Sequence, residues 1–397
     1  MSYMTEERRM IQQTARDFAM NEVLPVANKL DPEQGDIPMA LREKMGELGF
    51  FGITIPERYG GQGLGVFEYI LITEELARAW MSVASIIARG NGLGGGFTEA
   101  QRGEFLPKMA RGEFLGAAAL SEADAGSDLA NVSCKATRDG DAWVINGSKM
   151  WCTFADGANF ITLLARTKQP SDPRRRHEGI SQFLVLKEPG KFPPGLTGSP
   201  IRKIGYFGWK TFELHFENFR LPGDALMGRE RESAGEGRAF ASTASMLAVA
   251  RVHTAARAVG LARGGLEDSL VYAQKRVAFG HPIADFQAIR FKLADMATQI
   301  EAARQLTYHV ADQIDQRSAA DVGMEASMAK LFASDMAEHV TSEALQIHGG
   351  YGYTKDFPLE RYWRDARLTR IFEGTSEIQK RIISDRLLGK GGRTDGR

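Results

Sequence analysis

The stretch from residue 285 to 316 sets the strongest limit on what this chain can become. Ile289, Leu293, Met296, Ile300, Ala303, Leu306, Val310 and Ile314 recur every three or four residues. At 3.6 residues per turn this is one apolar face kept in line for roughly eight or nine turns. A helix that long cannot bury its stripe alone, so the spacing predicts a bundle. Residues 238–276 and 324–347 carry a similar pattern. The N-terminal region is helical too. Met10, Ile11, Ala15, Phe18 and Val23 predict a helix over 4–30, and further helices are expected over 38–48 and 67–89.

Between these helical regions the texture changes. A-W-V-I-N (142–146), N-F-I-T-L-L-A (159–165), Q-F-L-V-L-K (182–187) and T-F-E-L-H-F-E (211–217) are short β-rich runs. Asp139-Gly140, Asn146-Gly147 and a Pro/Gly loop at 189–200 are expected to separate them. That is an antiparallel pattern rather than alternating β and α units. The expected fold class is therefore α+β, and 397 residues are enough for three parts. These are an N-terminal helical domain (1–115), a middle, barrel-like antiparallel β domain (116–228) and a C-terminal four-helix bundle (229–397).

Several function classes drop out. Lys plus Arg equals Asp plus Glu at 50 each, so no chain-wide basic field attracts nucleic acid or anionic lipid. Cys134 and Cys152 form no C-x-x-C pair and no disulfide framework. The start M-S-Y-M-T-E-E-R-R-M lacks the apolar core of a signal peptide, and no run of about 18 apolar residues is present. A cytoplasmic protein with no membrane insertion is expected. G-x-S-x-G, the P-loop and H-E-x-x-H are absent, and the seven scattered histidines suggest no metal site. The glycine-rich stretches near 61 and 92 fail the dinucleotide fingerprint at Val66 and Phe97 and read as loops. S-D-P-R-R-R-H-E-G (171–179) reads as an exposed hairpin loop.

Five segments carry the chemistry. A-A-A-L-S-E-A-D-A-G-S-D (117–128) ends in a turn rich in hydroxyls and backbone N–H groups, suited to a flat polar ring. K-M-W-C-T-F (149–154) places Trp151 and Thr153 on one strand face. R-V-A-F-G-H-P-I-A-D-F-Q (276–287), L-Q-I-H-G-G-Y-G-Y (345–353) and F-E-G-T-S-E (372–377) complete the set. In this order and spacing, over nearly its whole length, the chain resembles the acyl-CoA dehydrogenase flavoprotein family.

The resemblance implies noncovalent FAD between the β domain and the C-terminal bundle. Leu120, Ser121, Gly126 and Ser127 would hold the flavin ring, Trp151 would flank it, and Thr153 would bond near N5. Arg276, Phe279 and Gln287 match pyrophosphate and adenine positions. Gln346, Gly349 and Gly350 match positions supplied by a neighbouring subunit, and Thr375 and Glu377 match further FAD contacts. A homodimer or a homotetramer (dimer of dimers) is implied.

Glu373 would remove the α-proton of an acyl-CoA while flavin N5 takes the β-hydride. The product would be a trans-2-enoyl-CoA, with electrons passing to an electron-transferring flavoprotein. The flavin ribityl hydroxyl and the Glu373 N–H would polarise the thioester oxygen. Ser127, Arg251 and Gly374 match substrate-side positions. Glu373 is expected in an apolar wall beside Ile371 and Phe372, with Ser376 and Gln379 opening the next helix as a capping box. Competing readings are an oxidase-like or decarboxylating member, or a DNA-binding alkylation-response relative.

Four places depart from the family pattern. Ala123 stands where proline is common, and Phe372 where tyrosine is frequent. K-I-G-Y-F-G-W-K-T (203–211) lacks the usual Arg and Ser. Ala250 occupies the position where some relatives carry the base, which leaves Glu373 as the catalytic carboxylate. Arg89 lies on the otherwise apolar S-I-I-A-R-G-N-G, near the end of the family's acyl pocket. A guanidinium there would receive a distal carboxylate, pointing to a short dicarboxylic acyl-CoA.

Overall fold

The structure, a computed structural model, describes residues 3–228, Glu236, 239–317 and 319–389. The expected boundary at 228/229 borders on residues 229–235, which lie outside the described residues.

Helix α1 (Glu6–Phe18) begins at Thr5, whose hydroxyl accepts the Arg8 N–H, and continues through a π-turn into α2 (Leu24–Leu30). Helix α3 (Met39–Glu47) follows. The helix expected over 67–89 is instead three: α4 (Val66–Ala79), α5 (Met81–Ile86) and α6 (Ala88–Asn91). The break falls at Trp80, whose backbone is extended (φ −157°, ψ 113°) and whose ring is fully buried. Periodicity misses it because apolar residues continue on both sides. Helix α7 (Glu99–Ala110) starts with a Thr98–Gln101 capping box.

Strands β1 (Gly116–Ala119), β2 (Lys135–Asp139), β3 (Ala142–Thr153), β4 (Phe160–Arg166), β5 (Ile180–Leu186), β6 (Leu196–Pro200) and β7 (Thr211–Leu221) form one sheet. Its order is β1-β4-β2-β3-β7-β6, with β5 also on β4. The sheet is mixed, which corrects the purely antiparallel expectation. β1 runs parallel to β4, and β2 meets β4 in parallel at Lys135–Arg166. The other pairings are antiparallel. A Gly-Ala-Ala-Ala strand has no alternation to read. Asn146-Gly147 is not a turn either: β3 passes through it in a bulge, with Gly147 at φ +136°. A Cβ there would sit 2.8 Å from the Cys134 Cα, so the bulge requires glycine. The loop expected at 189–200 ends in strand β6.

Helix α8 (Ala239–Lys275) leads to a small hairpin, β8 (Val277–Ala278) and β9 (His281–Pro282). Helices α9 (Gln287–Gln316), α10 (Gly323–His348), α11 (Leu359–Thr369) and α12 (Ser376–Leu387) follow. Helices α8, α9 and α10 pack on one another, and α8 and α9 also pack on α4. Gly260 permits the α4–α8 approach, since a Cβ there would meet the Glu74 carbonyl at 2.4 Å. The fully buried Glu74 carries its own counter-ions, Arg263 at 2.9 Å and Arg304 at 3.1 Å. Pairing is what makes a buried carboxylate tolerable. Among the described residues, no helix is long and apolar enough to cross a membrane.

Candidate active site

Between α11 and α12 the chain turns through two successive left-handed residues, Glu373 (φ +54°) and Gly374 (φ +93°). A non-glycine residue held there costs on the order of 1–3 kcal/mol and persists only when its surroundings enforce it. Here the enforcement is visible. The fully buried Lys330 donates to the Gly374 carbonyl at 2.7 Å, and Gln379 Nε2 donates to it at 2.8 Å. Burial pushes the Lys330 ammonium down to about 8, against the pull of Glu373. Thr375 caps α12 by accepting the Ile378 N–H. The expected Ser376–Gln379 box is not formed, because Ser376 is already helical and Gln379 turns back to Gly374.

The surroundings of the Glu373 carboxylate also correct an expectation. Its Oε2 accepts from the Thr254 hydroxyl and from Arg257 Nη2 at 2.8 Å. Arg257 is 1% exposed and also donates to Ser85 Oγ at 2.9 Å. Its guanidinium lies 4.6 Å from the Phe372 ring centre. Burial alone would lower this guanidinium's pKa, but Glu373 and Tyr206 outweigh it and hold the value above the ordinary one. The wall is thus apolar on one side only, where Phe372 meets Tyr206 edge-on at 5.8 Å. The side chain of Glu373 keeps 29% exposure, so the acid faces an opening. No hydrogen bond within the chain occupies the Glu373 N–H among the described residues.

Ala250, Thr254 and Arg257 share a face of α8, being four and seven residues apart. Arg257 was not among the candidates from sequence; that spacing, read from Ala250, is the signal that finds it. Arg251 makes no hydrogen bond to Glu373 among the described residues. Its Nε is buried without a partner, and burial lowers its pKa.

A second group lies on the β domain. After β1, Glu122 and Ala125 exchange backbone hydrogen bonds and close a tight turn. Beneath it the fully buried Lys149 donates to the Leu120 carbonyl (2.9 Å) and to Glu122 Oε1 (2.7 Å). Glu122 also accepts from the Ser133 and Cys134 N–H groups. Burial would raise the Glu122 carboxyl, but Lys149 and these donors hold it below the ordinary range. Leu120 and Ser121 are therefore pinned, while Gly126 and Ser127 stand exposed on the rim. Met150 N donates to the Ser121 carbonyl at 2.8 Å, tying the rim to β3. A bulge then swings Trp151 outward, at φ +62° and 59% exposed. Thr153 follows on the same side, its hydroxyl bonded to Thr211. An outward indole beside a pinned rim of hydroxyls and amides fits a flat heteroaromatic cofactor.

An aromatic wall joins the two groups. Phe154 meets Trp209 at 6.1 Å, Trp209 meets Tyr206 at 5.2 Å, and Tyr206 meets Phe372. Arg89 reaches the same wall from α6, its guanidinium 5.2 Å from the Trp209 ring centre. The departure at 203–211 builds this wall, with Lys203 donating to the Tyr206 and Trp209 carbonyls.

A third group stands apart. Phe279 and Gly280 form the tip of the β8–β9 hairpin, both at positive φ, and Phe279 is 92% exposed. Arg276 at the hairpin base and Gly349 and Gly350 after α10 line one cleft of about 510 Å³. Gln287 and Gln346 are exposed nearby in sequence. No hydrogen bond, ion pair or ring contact joins this cleft to Glu373 or Trp151 among the described residues. Because Arg276 and the two glycines share a cleft in one chain, a neighbour that supplies one supplies the others. Thr375 and Glu377 sit at the start of α12, Glu377 exposed. The 171–179 segment is the β4–β5 hairpin loop, its arginines paired with Asp172, Glu178 and Asp128.

The chain matches known proteins along its length. Residues 5–113, 117–219 and 235–388 match the acyl-CoA dehydrogenase N-terminal, middle and C-terminal domains. An acyl-CoA dehydrogenase of Bacillus subtilis (strain 168) is 42% identical over 393 residues, 98% of this chain and 99% of its own. The (2S)-methylsuccinyl-CoA dehydrogenase of Cereibacter sphaeroides is 41% identical over 397 residues, 98% of this chain and 70% of its own. A solved glutaryl-CoA dehydrogenase of Mycobacterium smegmatis, in complex with FADH2, superposes with a TM-score of 0.88. It is 28% identical, covering 98% of this chain and 96% of its own. Fold and matches together define an FAD-dependent oxidoreductase acting on CH–CH bonds. The chain belongs to the acyl-CoA dehydrogenase family.

Proposed function

We propose that this chain converts an acyl-CoA thioester to the trans-2-enoyl-CoA, with Glu373 as the base, and passes electrons to an electron-transferring flavoprotein. The observation that carries the reading is the turn at Glu373. A strained backbone holds one carboxylate at an opening, anchored through a single oxygen by Arg257 and Thr254. The other oxygen is left to take the α-proton. The unoccupied Glu373 N–H is a donor for the thioester oxygen, where charge develops as that proton leaves.

FAD would be held by Leu120, Ser121, Gly126, Ser127, Trp151 and Thr153. Arg276, Phe279, Gln287, Gln346, Gly349, Gly350, Thr375 and Glu377 would complete its site. When bound, it supplies the two-electron acceptor for the β-hydrogen. The Lys149–Glu122 pair keeps the rim rigid, and the aromatic wall screens one side of the carboxylate. The hairpin tip and its cleft are exposed on the single chain, which supports service to a neighbouring copy's flavin in a homodimer or dimer of dimers.

The test is anaerobic mixing of the yellow holoenzyme with a panel of acyl-CoA esters, following flavin bleaching. Glu373→Gln should keep its flavin spectrum and lose about 10²–10⁴ in bleaching rate, the usual worth of a positioned base. A variant that bleaches as fast as wild type removes Glu373 from the mechanism.

A further inference from the structure

Among the described residues Arg89 has no counter-ion: no carboxylate pairs with it and no carbonyl accepts from it, and its Nε is closed off from solvent without a partner. Its guanidinium lies over the Trp209 indole, 5.2 Å from the ring centre. The groups that bear most on it are Tyr206, Glu373, Arg257 and Tyr69. The carboxylate among them, Glu373, is committed to Arg257.

The surroundings of Glu373 therefore hold an excess of positive charge. Arg89 and Arg257 flank it, Lys330 stands behind the Glu373 turn, and Glu373 is the anion. Two buried arginines elsewhere among the described residues are treated differently, although Arg251 is likewise left without an ion pair. Arg78 is matched to Glu267 and Asp268, and Arg263 to Glu74 and Glu75. A guanidinium withdrawn from water is costly unless an anion and hydrogen bonds replace its hydration. A stack on Trp209 orients the guanidinium plane but does not neutralise it.

Ser85 and Arg89 are four residues apart, on either side of the short turn between α5 and α6. Ser85 bonds Arg257, so Arg89 emerges about one turn from the guanidinium that holds the base. Tyr206 lies between them, edge-on to both Trp209 and Phe372. This puts a cationic group beside the Glu373 site, where a plain fatty acyl chain would want apolar surroundings.

We propose that Arg89 is a specificity-determining residue that takes the distal carboxylate of a short dicarboxylic acyl-CoA, in a bidentate contact above the Trp209 face. The inference rests on the acyl-CoA reading of Glu373 and names the substrate class for that same site. With the carboxylate seated on Arg89, the acyl chain is fixed at both ends, thioester and distal anion. Its α-carbon is then registered against Glu373. A monocarboxylic ester fixes one end only and leaves Arg89 unpaired.

The experiment compares glutaryl-CoA and methylsuccinyl-CoA with butyryl-CoA on wild-type, Arg89→Met and Arg89→Lys holoenzymes. One readout is anaerobic flavin bleaching. The other is calorimetric affinity for each ester in a Glu373→Gln background, where turnover does not interfere. Arg89→Met is expected to weaken at least one dicarboxylic ester tenfold or more in both readouts. Butyryl-CoA should change less than threefold, and Arg89→Lys should recover part of the loss. All three esters carry the same CoA phosphates, so a loss confined to the dicarboxylic arm assigns Arg89 to the acyl end. Equal losses on all esters overturn the proposal. So does a wild-type enzyme that prefers butyryl-CoA, which settles the question even if Arg89→Met fails to fold. Wild-type holoenzyme bleached by none of the esters defeats the dehydrogenase reading instead.

Discussion

A base that must remove a weakly acidic proton has to be held still, and the contacts of Glu373 show how this chain does so. Oε2 is committed to Arg257 and Thr254, so the side chain has little freedom. Arg257 in turn is fixed by Ser85 and stacked on Phe372. A hydrogen bond between charged groups contributes about 1.5–3 kcal/mol, or roughly 10- to 150-fold in rate where the transition state depends on it. Arg257→Gln should lower the bleaching rate within that range at unchanged flavin content. Arg257→Lys should restore part of it. Loss of melting temperature with no change in rate per holoenzyme would reduce Arg257 to a structural residue. Glu373 was legible in the sequence because a motif surrounds it. Arg257 was not, because its importance comes from a helix face meeting a turn 116 residues away.

At the level of elements, the turn from α11 to α12 shows why glycine follows the base. Gly374 sits at φ +93°, and a Cβ on it would lie 2.6 Å from Gln379 Nε2. That amide could swing away, but the Gly374 carbonyl would then lose one of its two donors. Gly374→Ala should cost about 1–3 kcal/mol from the backbone conformation alone, measured by thermal or denaturant unfolding. Wild-type stability would show that the turn relaxes freely. Periodicity predicted the long helices because a stripe over many turns averages out local exceptions. It failed where one residue decides. Trp80 breaks a helix without breaking the pattern. Gly147 bends a strand that reads as two. The parallel pairing of β1 is a property of its partner, and its own four residues carry no trace of it.

For the molecule as a whole, the question is what the exposed aromatic groups are for. Phe279, Tyr353 and Trp151 are among the most exposed large side chains, on a hairpin, after α10 and on a sheet bulge. Five motifs were legible along the sequence, yet the single chain joins only some of them. The wall from Phe154 to Phe372 links the Trp151 rim to Glu373, while among the described residues the cleft of Arg276, Gly349 and Gly350 has no such link. If both belong to one FAD site, the two halves come from different copies, and cofactor binding depends on assembly. The 43.7 kDa chain should therefore sediment as a dimer or larger at micromolar concentration. On dilution, bound FAD should be released in step with dissociation. Phe279→Ser together with Arg276→Ala should lower flavin content more than it lowers the melting temperature of the apoprotein. A monomer that retains a full complement of FAD would refute the shared site. It would also require the rim and the cleft to be brought together within one chain, by a rearrangement of the hairpin and the α10 terminus.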